Sequence, residues 1–446
     1  MSDTPLEHLI DRYRDGRVSR RTFLRQGVAL GLSMSSISLI LDACGAGSSG
    51  SSKELHLLME DIDETNYVEA VLPQFTKETG IKVSIEKITY EAMHDKLVPQ
   101  LSAGKGKSEY DLIQVDVPWT KEFVDAGWLL NLSDYLSKST EVKLSEFIPS
   151  TVESNGIING QPFMVPFYHY AYGFLFRRDI LENDVLGNAF EKEYGAPWAV
   201  PTTLKDFERF AEFIAAREGT SKLAGTVMLA KREENGLEWL NYLYANGGDF
   251  LRNGKSALLE PEAVESLEIY GRLLSKASQP GANNAAFNEG QATMEAGKGA
   301  SWIIYLWMQT ALNTSKSAIA GKMGLARIPG QAGVMAAWGW AIPTASPKQA
   351  QAWELLQYLA SYPVSLKRAL MGAEPVRPAI YENAEVLAKW PEYKEHYQIA
   401  LHSKIEPDAL RTIAGQEALS LDLYEATSGK KSARAALESF SSKNLV

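Results

Sequence analysis

Strand and helix patterns alternate along the first part of the chain, and this alternation limits its fold more than any other feature. Residues Glu54 to Met59 have the apolar pattern of a strand, and Tyr67 to Thr79 place Val68, Val71, Leu72 and Phe75 on one helical side. Residues Ile81 to Ile85 alternate with period two, as a strand does. An amphipathic helix over Glu91 to Ala103 then precedes the apolar strand Tyr110 to Val115. This order predicts an α/β fold with a mainly parallel sheet and helices packed on it.

Later segments carry helix start signals. Thr203 precedes an apolar helical pattern, and Pro261 stands where the first helical residue is expected. Ser346-Pro347 predicts a helix over Lys348 to Ser361, and the last hundred or so residues are mostly helical in pattern. Residues 281–299 are small and polar, so we expect no long regular element there.

The N-terminus has the pattern of an export signal. Ser19-Arg20-Arg21-Thr22-Phe23-Leu24-Arg25 precedes a short apolar run, Val28 to Leu41, that is diluted by serine and glycine. A membrane span needs about 20 apolar residues, so the run is too short for one. The order around Arg20 and Arg21 resembles a twin-arginine signal, which is recognised by the Tat export machinery. We therefore predict a signal peptide over residues 1–43.

Cys44 is the only cysteine of the 446 residues, so the fold has no intramolecular disulfide. Leu41-Asp42-Ala43-Cys44-Gly45 resembles a lipobox, although Asp42 departs from the small or β-branched residue usual there. The following Gly- and Ser-rich residues 44–53 have the composition of a flexible tether. The pattern predicts a protein anchored to the outer face of the cytoplasmic membrane by a lipid on Cys44.

Charge and motifs argue against several classes of function. The net charge of −10 argues against nucleic acid as a partner, since that binding rests on clustered Lys and Arg. None of the six histidines has metal-ligand spacing, and no G-x-S-x-G motif occurs. We predict no catalytic residues, no metal and no cofactor, although counting alone does not exclude a glycosidase carboxylate pair.

Aromatic residues cluster beside polar ones where strands are expected to end. In α/β folds ligands lie beyond the carboxyl ends of strands, and aromatic faces pack on the C–H faces of sugars while polar groups bind hydroxyls. Tryptophan is about as often core as pocket wall, so both roles stay open for each. The predicted ligand-binding residues are Asp63, Glu64, Asp116, Trp119, Tyr168, His169, Tyr170, Trp239, Trp302, Tyr305, Trp338, Trp340 and Arg377.

Stretches spread over nearly the whole chain resemble one family. They include Phe75 to Val83, Asn159 to Pro166, Phe287 to Met294, Trp338 to Pro343 and Pro375-Val376-Arg377. Their order and spacing resemble the sugar-binding branch of the extracellular solute-binding proteins of ABC importers, the maltose-binding-protein group. The resemblance implies that the chain binds a sugar, oligosaccharide or polyol and delivers it to the transmembrane subunits of an ABC permease.

The resemblance also implies a two-lobed periplasmic-binding-protein-like (type II) fold, in which each lobe is a sheet flanked by helices. Lobe 1 would comprise residues 54–168 and 324–374, and lobe 2 residues 173–321 and 375–446. Such a monomeric protein closes by a hinge over a ligand held in the cleft. Two other functions stay open, a binder of a cation such as a polyamine and a secreted carbohydrate-active enzyme.

Overall fold

The computed structural model describes residues 54–217, 223–232, 234–313 and 316–444. The predicted signal peptide with Arg20 and Arg21, the tether and Cys44 lie outside the described residues. The strands are β1 (Glu54–Glu60), β2 (Lys82–Ile88), β3 (Leu112–Val115), β4 (Ile157–Ile158), β5 (Gln161–Pro162), β6 (Val165–Arg177), β7 (Leu251–Arg252), β8 (Lys255–Ser256), β9 (Ser301–Tyr305), β10 (Met323–Ala326), β11 (Val334–Ala341) and β12 (Lys404–Ile405).

The α-helices are α1 (Asp63–Thr79), α2 (Tyr90–Ser102), α3 (Val117–Asp125), α4 (Ser133–Lys138), α5 (Pro149–Thr151), α6 (Arg178–Leu181), α7 (Asp184–Tyr194), α8 (Leu204–Ala215), α9 (Asn235–Ala245), α10 (Pro261–Lys276), α11 (Phe287–Glu295), α12 (Met308–Leu312), α13 (Gln349–Ala360), α14 (Tyr362–Met371), α15 (Pro378–Tyr381), α16 (Ala384–Lys389), α17 (Tyr393–Leu401), α18 (Ile413–Thr427) and α19 (Ala433–Asn444). Short 3₁₀ turns cover Leu144–Glu146, Ala282–Asn284 and Asp408–Leu410, and a π-helical turn covers Val152–Gly156.

The chain divides by its internal contacts into two compact units. The first unit comprises the described residues from Glu54 to Ile113 together with Asn131–Lys143 and Ile342–Val364. The second unit comprises Gln114–Leu130, Leu144–Ala341 and the residues from Ser365 onward. The predicted lobes are defined by relative motion rather than by density of contacts, so their boundaries stay a prediction.

The first unit is built on parallel strands, as the strand–helix alternation predicts. Strand β1 pairs in parallel with β2 from Glu54 opposite Lys82 to Glu60 opposite Ile88, and it also pairs in parallel with β3. Helix α1 lies between β1 and β2 in the chain and buries Val68, Val71, Leu72 and Phe75, which is the predicted apolar side. It begins at Asp63, four residues before the predicted start, because the polar first turn has no apolar spacing to indicate it.

The second unit is organised around the long strand β6, whose residues are buried from Val165 to Phe176. Strands β9, β10 and β11 all pair with β6 in the antiparallel sense. Parallel pairing occurs here between β11 and β12 and at the isolated bridge from Val227 to Trp302. A large apolar core of residues from β6, β9 and helices α8 to α10 fills this unit. The predicted α/β fold class is confirmed.

Local start signals are mostly confirmed. The Thr203 side chain caps α8 by accepting a hydrogen bond from the Asp206 amide, and Pro261 is the first residue of α10. The expectation for residues 281–299 is wrong, because helix α11 lies there. Its first turn is held by the Glu289 carboxylate, which accepts a hydrogen bond of 3.0 Å from the Ala286 amide. None of the described helices is both long and apolar enough to cross a membrane.

Candidate functional site

Asp116 lies directly after β3, at the carboxyl end of this buried strand, where the sequence places it. Its side chain caps α3 by accepting a hydrogen bond of 2.8 Å from the Val117 amide, which satisfies one of the free donors at a helix start. The same oxygen, Oδ1, accepts a hydrogen bond of 2.8 Å from the Tyr170 hydroxyl. Only 5% of Asp116 is exposed, and hydrogen bonds such as these two compensate for the burial of its carboxylate.

A second carboxyl group faces the same tyrosine. Glu406 Oε1 lies 3.4 Å from the Tyr170 hydroxyl, and the glutamate is 1% exposed. Burial and the Asp116 carboxylate raise the pKa of Glu406 to about 8, although Arg411, Tyr170 and Gln416 offset part of this effect. Like charges close together disfavour ionisation of both groups. We call Asp116 and Glu406 the carboxyl pair, and Tyr170 the tyrosine that bridges the two.

Aromatic side chains surround this polar group within the second unit. The Trp338 ring stands edge-on to Trp119, with centroids 5.5 Å apart, and stacks on Tyr168 at 6.0 Å. Tyr305 contacts Tyr170 at 5.6 Å. Such pairs each add about 0.5–1.5 kcal/mol beyond the burial of their area. The structure therefore brings Asp116, Trp119, Tyr168, Tyr170, Tyr305 and Trp338 of the predicted residues into one cluster.

Part of the aromatic cluster is accessible to solvent. Tyr305 stacks on Trp307 with ring planes only 8° apart, and Phe287 at the start of α11 packs against both rings, at 6.1 and 5.7 Å. These three side chains are half-buried, whereas the neighbouring Tyr172 is buried. An apolar ring wall beside placed oxygen acceptors is the usual composition of a small-molecule site.

Asn155 holds the cluster together and has no counterpart in the sequence prediction. It lies in the π-helical turn Val152–Gly156, a local structure often found at functional sites. Its Nδ2 donates to the carbonyl oxygens of Val115 at 2.8 Å and Ala337 at 2.6 Å, and its Oδ1 accepts from Thr120 at 2.6 Å. One side chain thus joins the end of β3, helix α3 and the residue before Trp338. In the sequence Asn155-Gly156 resembles an ordinary turn, so no local signal marks this role.

Gly339 allows Met164 and Asn155 to pack closely against β11. A Cβ atom at Gly339 would lie 2.8 Å from the Met164 side chain and 3.3 Å from Asn155 Nδ2. The residue between Trp338 and Trp340 must therefore lack a side chain for the π-helical turn to approach β11. The pairing of β11 with β6 also shifts register at this point, between Trp338 and Gly339.

His169 lies apart from this cluster, because successive residues of a strand point to opposite faces. Its Nε2 lies 2.7 Å from the Tyr381 hydroxyl and 3.5 Å from Glu374 Oε1, and the other Glu374 oxygen bonds His396 Nδ1 at 2.9 Å. Tyr381 also donates to Glu374. Burial lowers the pKa of His169 to about 4. Burial alone would raise the pKa of Glu374, but His396, His169 and Tyr381 hold it below its usual value.

The remaining tryptophans and Arg377 are placed inside the second unit. Trp239 is fully buried and donates to Ser266 Oγ at 3.2 Å, and Trp302 is fully buried beside Gly290. Trp340 packs on Phe167 at a centroid distance of 4.1 Å. Arg377 is 2% exposed, pairs with Glu146 at 2.5 Å and covers the Phe147 ring. These four side chains are committed to packing in the described conformation, and their contact with a ligand stays a prediction.

Asp63 and Glu64 lie in the first unit, in the first turn of α1. Acidic residues stabilise a helix at this end because they complement its dipole. Together with burial, they raise the pKa of Tyr67 to about 12. Within the described part of the chain, no group of three or more histidine, cysteine, aspartate or glutamate side chains is arranged to hold a metal ion.

Comparisons with known proteins agree with the resemblance inferred from the sequence. The family model for bacterial extracellular solute-binding proteins matches residues 61–364. A probable ABC transporter-binding protein of Deinococcus radiodurans is 24% identical over 345 residues, which cover 75% of this chain and 78% of that protein.

Solved structures of similar fold cover nearly the whole described chain. A Thermotoga maritima protein with bound maltose has a TM-score of 0.74 and 23% identity, and covers 87% of this chain and 98% of its own. An ABC transporter solute-binding protein of Thermotoga lettingae with bound α-D-tagatose has a TM-score of 0.75 and 22% identity, and covers 89% and 100%. At this identity the likeness concerns the fold, and the family model spans more than half of the chain. The chain belongs to the bacterial extracellular solute-binding protein family.

Proposed function

We propose that this chain is the substrate-binding component of an ABC importer and that its ligand is a sugar, an oligosaccharide or a polyol. The ligand contacts the aromatic cluster and the carboxyl pair of the second unit. The chain binds the solute without chemical change and delivers it to the transmembrane subunits of the permease. It acts as a monomer.

One observation carries the carbohydrate part of this proposal. Half-buried aromatic rings at Phe287, Tyr305 and Trp307 stand next to the buried acceptors of Asp116 and Glu406. A sugar ring has one mostly C–H face and an edge of hydroxyl donors, so it needs an apolar wall and oxygen acceptors side by side. The site supplies both, because the acceptors follow β3 and β12 and the rings lie at the end of β9 and the start of α11. The bound maltose and α-D-tagatose in the two similar structures support the same ligand class.

Export and anchoring complete the proposed function. The Tat machinery exports the chain through the signal that contains Arg20 and Arg21, and lipid on Cys44 then holds it at the outer face of the cytoplasmic membrane. The Gly- and Ser-rich tether leaves the anchored domain free to meet solute and permease. Membership of an extracellular solute-binding family supports an exported location.

A second candidate is a cationic ligand such as a polyamine. It is favoured by the two buried carboxyl groups at Tyr170 and by Glu234, whose charge adds to the effect of burial in raising the pKa of Tyr305. A polyamine would bind mainly through charge, so its affinity should fall strongly with added salt, whereas neutral sugar binding should hardly change.

A thermal-shift panel separates the two candidates. Purified protein is heated with each member of a set of hexoses, disaccharides, linear polyols and polyamines. A carbohydrate present at 100 times its dissociation constant should add about 2.7 kcal/mol of stability. Tyr170→Phe should reduce that shift, and Tyr358→Phe, which alters a tyrosine of the first unit bonded to the Val71 carbonyl, is the matched control. Stabilisation by polyamines alone would contradict the carbohydrate proposal.

A further inference from the structure

The carboxyl pair has an unused hydrogen-bonding position. Glu406 Oε2 is buried and makes no hydrogen bond of standard geometry among the described residues, although the Gln416 side chain beside it, whose Nε2 also lacks such a bond, lowers the Glu406 pKa. Glu406 Oε1 shares the hydroxyl of Tyr170 with Asp116, and one hydroxyl donates a single proton at a time. Glu406 Oε1 and Asp116 Oδ1 therefore compete for the Tyr170 proton, and ionisation of Glu406 in this buried position is costly.

The charges around the pair are mostly negative. Arg411 is the cation that acts on Glu406, but its guanidinium already donates to the Glu406 backbone carbonyl at 3.1 Å and pairs with Asp408 at 3.2 Å. The titratable and charged groups that act on Glu406, or on which Glu406 acts, are Asp116, Tyr170, Tyr172, Tyr244, Tyr305 and Arg411, and Glu234 acts on two of them, Tyr172 and Tyr305. Among these seven side chains only one carries a positive charge.

The adjacent rings suit a cation as well as a sugar face. Tyr305 and Trp307 are half-buried and stacked, and the negative faces of such rings attract an ammonium group. A ligand that carries both a sugar-like C–H face and an ammonium would use the rings and would also supply a charged donor to the unpaired carboxyl oxygen. A neutral hydroxyl supplies a donor but no compensating charge.

We propose, on the basis of the carbohydrate-binding function above, that Asp116, Tyr170 and Glu406 make the site prefer a carbohydrate or polyol bearing a protonated amino group over the neutral compound of the same shape. The ammonium donates to Glu406 Oε2 and lies near Asp116. Charge-assisted hydrogen bonds of this kind are about twice as strong as neutral ones. Glu406 sets the preference, and Tyr170 orients the two carboxyl groups.

The pKa of Glu406, which is raised to about 8, predicts that protons are released when an amine binds. At pH 7 most of the free protein carries a proton on Glu406. A bound ammonium favours the ionised carboxylate, so binding should release about one proton to the buffer. Affinity for an amine that stays protonated over this range, such as 1-amino-1-deoxy-D-glucitol, should therefore increase as the pH rises from 6 to 8, whereas affinity for the neutral compound should not increase.

The test uses two matched pairs of probes, 1-amino-1-deoxy-D-glucitol with D-glucitol and D-glucosamine with D-glucose. Calorimetric titration of the full chain gives both affinities, and titration in two buffers of different ionisation enthalpy gives the protons released. We expect the amine of at least one pair to bind about tenfold or more tightly than its neutral partner. We also expect release of about one proton per bound amine at pH 7.

Glu406→Gln should reduce the ratio of amine to neutral affinity and abolish the proton release. Glu238→Gln is the matched control, because Glu238 is a second buried glutamate of this unit whose two oxygens are already bonded, to the Leu229 amide and the Tyr270 hydroxyl. The control should leave the ratio unchanged. If Glu406→Gln does not fold, Asp116→Asn replaces it as the test, because asparagine is also a good helix cap. This variant should likewise reduce the ratio of amine to neutral affinity.

The outcomes separate this inference from the proposed function. If neutral carbohydrates bind as tightly as their amines, or amines bind without proton release, the inference is wrong and carbohydrate binding stands. If polyamines bind but no carbohydrate does, both are wrong. An unchanged preference in both Glu406→Gln and Asp116→Asn would also overturn the role given to the pair.

Discussion

The buried carboxyl group of Glu238 gives a measurable dependence of stability on pH. Its Oε1 accepts a hydrogen bond of 2.8 Å from the Leu229 amide and its Oε2 bonds the Tyr270 hydroxyl at 2.7 Å. These contacts join the segment before α9 to helix α10. Burial raises the pKa of Glu238 from 4.5 to about 7, although the two hydrogen bonds partly offset the effect.

Proton linkage gives the direction in which stability changes with pH. Between pH 4.5 and 7 the folded protein holds a proton on Glu238 that the unfolded chain has lost. The contribution of Glu238 protonation to the free energy of unfolding is therefore complete below pH 4.5 and disappears as the pH rises through 7. The shift of pKa corresponds to about 3 kcal/mol, of which about 2–3 kcal/mol should be lost between pH 5 and 8.

Glu238→Gln is the perturbation that isolates this effect, because glutamine is isosteric and cannot ionise. Its carbonyl accepts from the Leu229 amide, and its amide donates to the Tyr270 oxygen. Urea denaturation at pH 5 and pH 8 gives the free energy of unfolding of both proteins. The wild type should lose about 2–3 kcal/mol more than the variant over this interval. Other groups, including Glu406 and His169, cancel in the comparison, and Glu268→Gln on the exposed side of α10 is the control. Equal losses in wild type and variant would refute the assignment.

Three further predictions concern packing, the scaffold of the site and sorting. Trp302→Ala should cost about 3–5 kcal/mol of stability by chemical denaturation, because the indole is fully buried; a loss below about 1 kcal/mol would contradict a core role. Asn155→Ala should cost about 2–4 kcal/mol in the same assay, because two buried backbone carbonyls lose their donor, and an unchanged midpoint would argue against this bracing. Cys44→Ala should abolish lipid labelling and release the protein from membranes, and replacing Arg20 and Arg21 together with lysine should block export; unchanged fractionation would remove the lipoprotein and Tat assignments.

Local patterns predict the fold well where a short segment determines its own structure. The apolar residues of α1 and the cap at Thr203 can be identified from neighbours in the sequence, and the structure has both. Helix α11 was missed because residues 281–299 taken together are small and polar, while the side chain that caps the first turn of the helix was not recognised.

The residues of the candidate site are likewise of two kinds, those that the neighbouring sequence indicates and those that only contacts between distant parts of the chain place there. Asp116 and the tyrosines of β6 were identified because they stand beside recognisable strands. Glu406 was missed because it meets Tyr170 across 236 positions of sequence, and nothing in its own neighbourhood indicates that contact. Asn155 was missed for the same reason, since its partners at Val115 and Ala337 are distant in the chain.

Calorimetric titration of the best carbohydrate from the thermal-shift panel, followed by NMR of the recovered ligand, tests the central claim most directly. We predict one site per chain and a ligand recovered without chemical change. Trp338→Ala should weaken binding by about 5- to 150-fold, because the ring that packs on Trp119 and Tyr168 is removed from the cluster. Absence of binding to any sugar or polyol, or recovery of a converted product, would contradict the account.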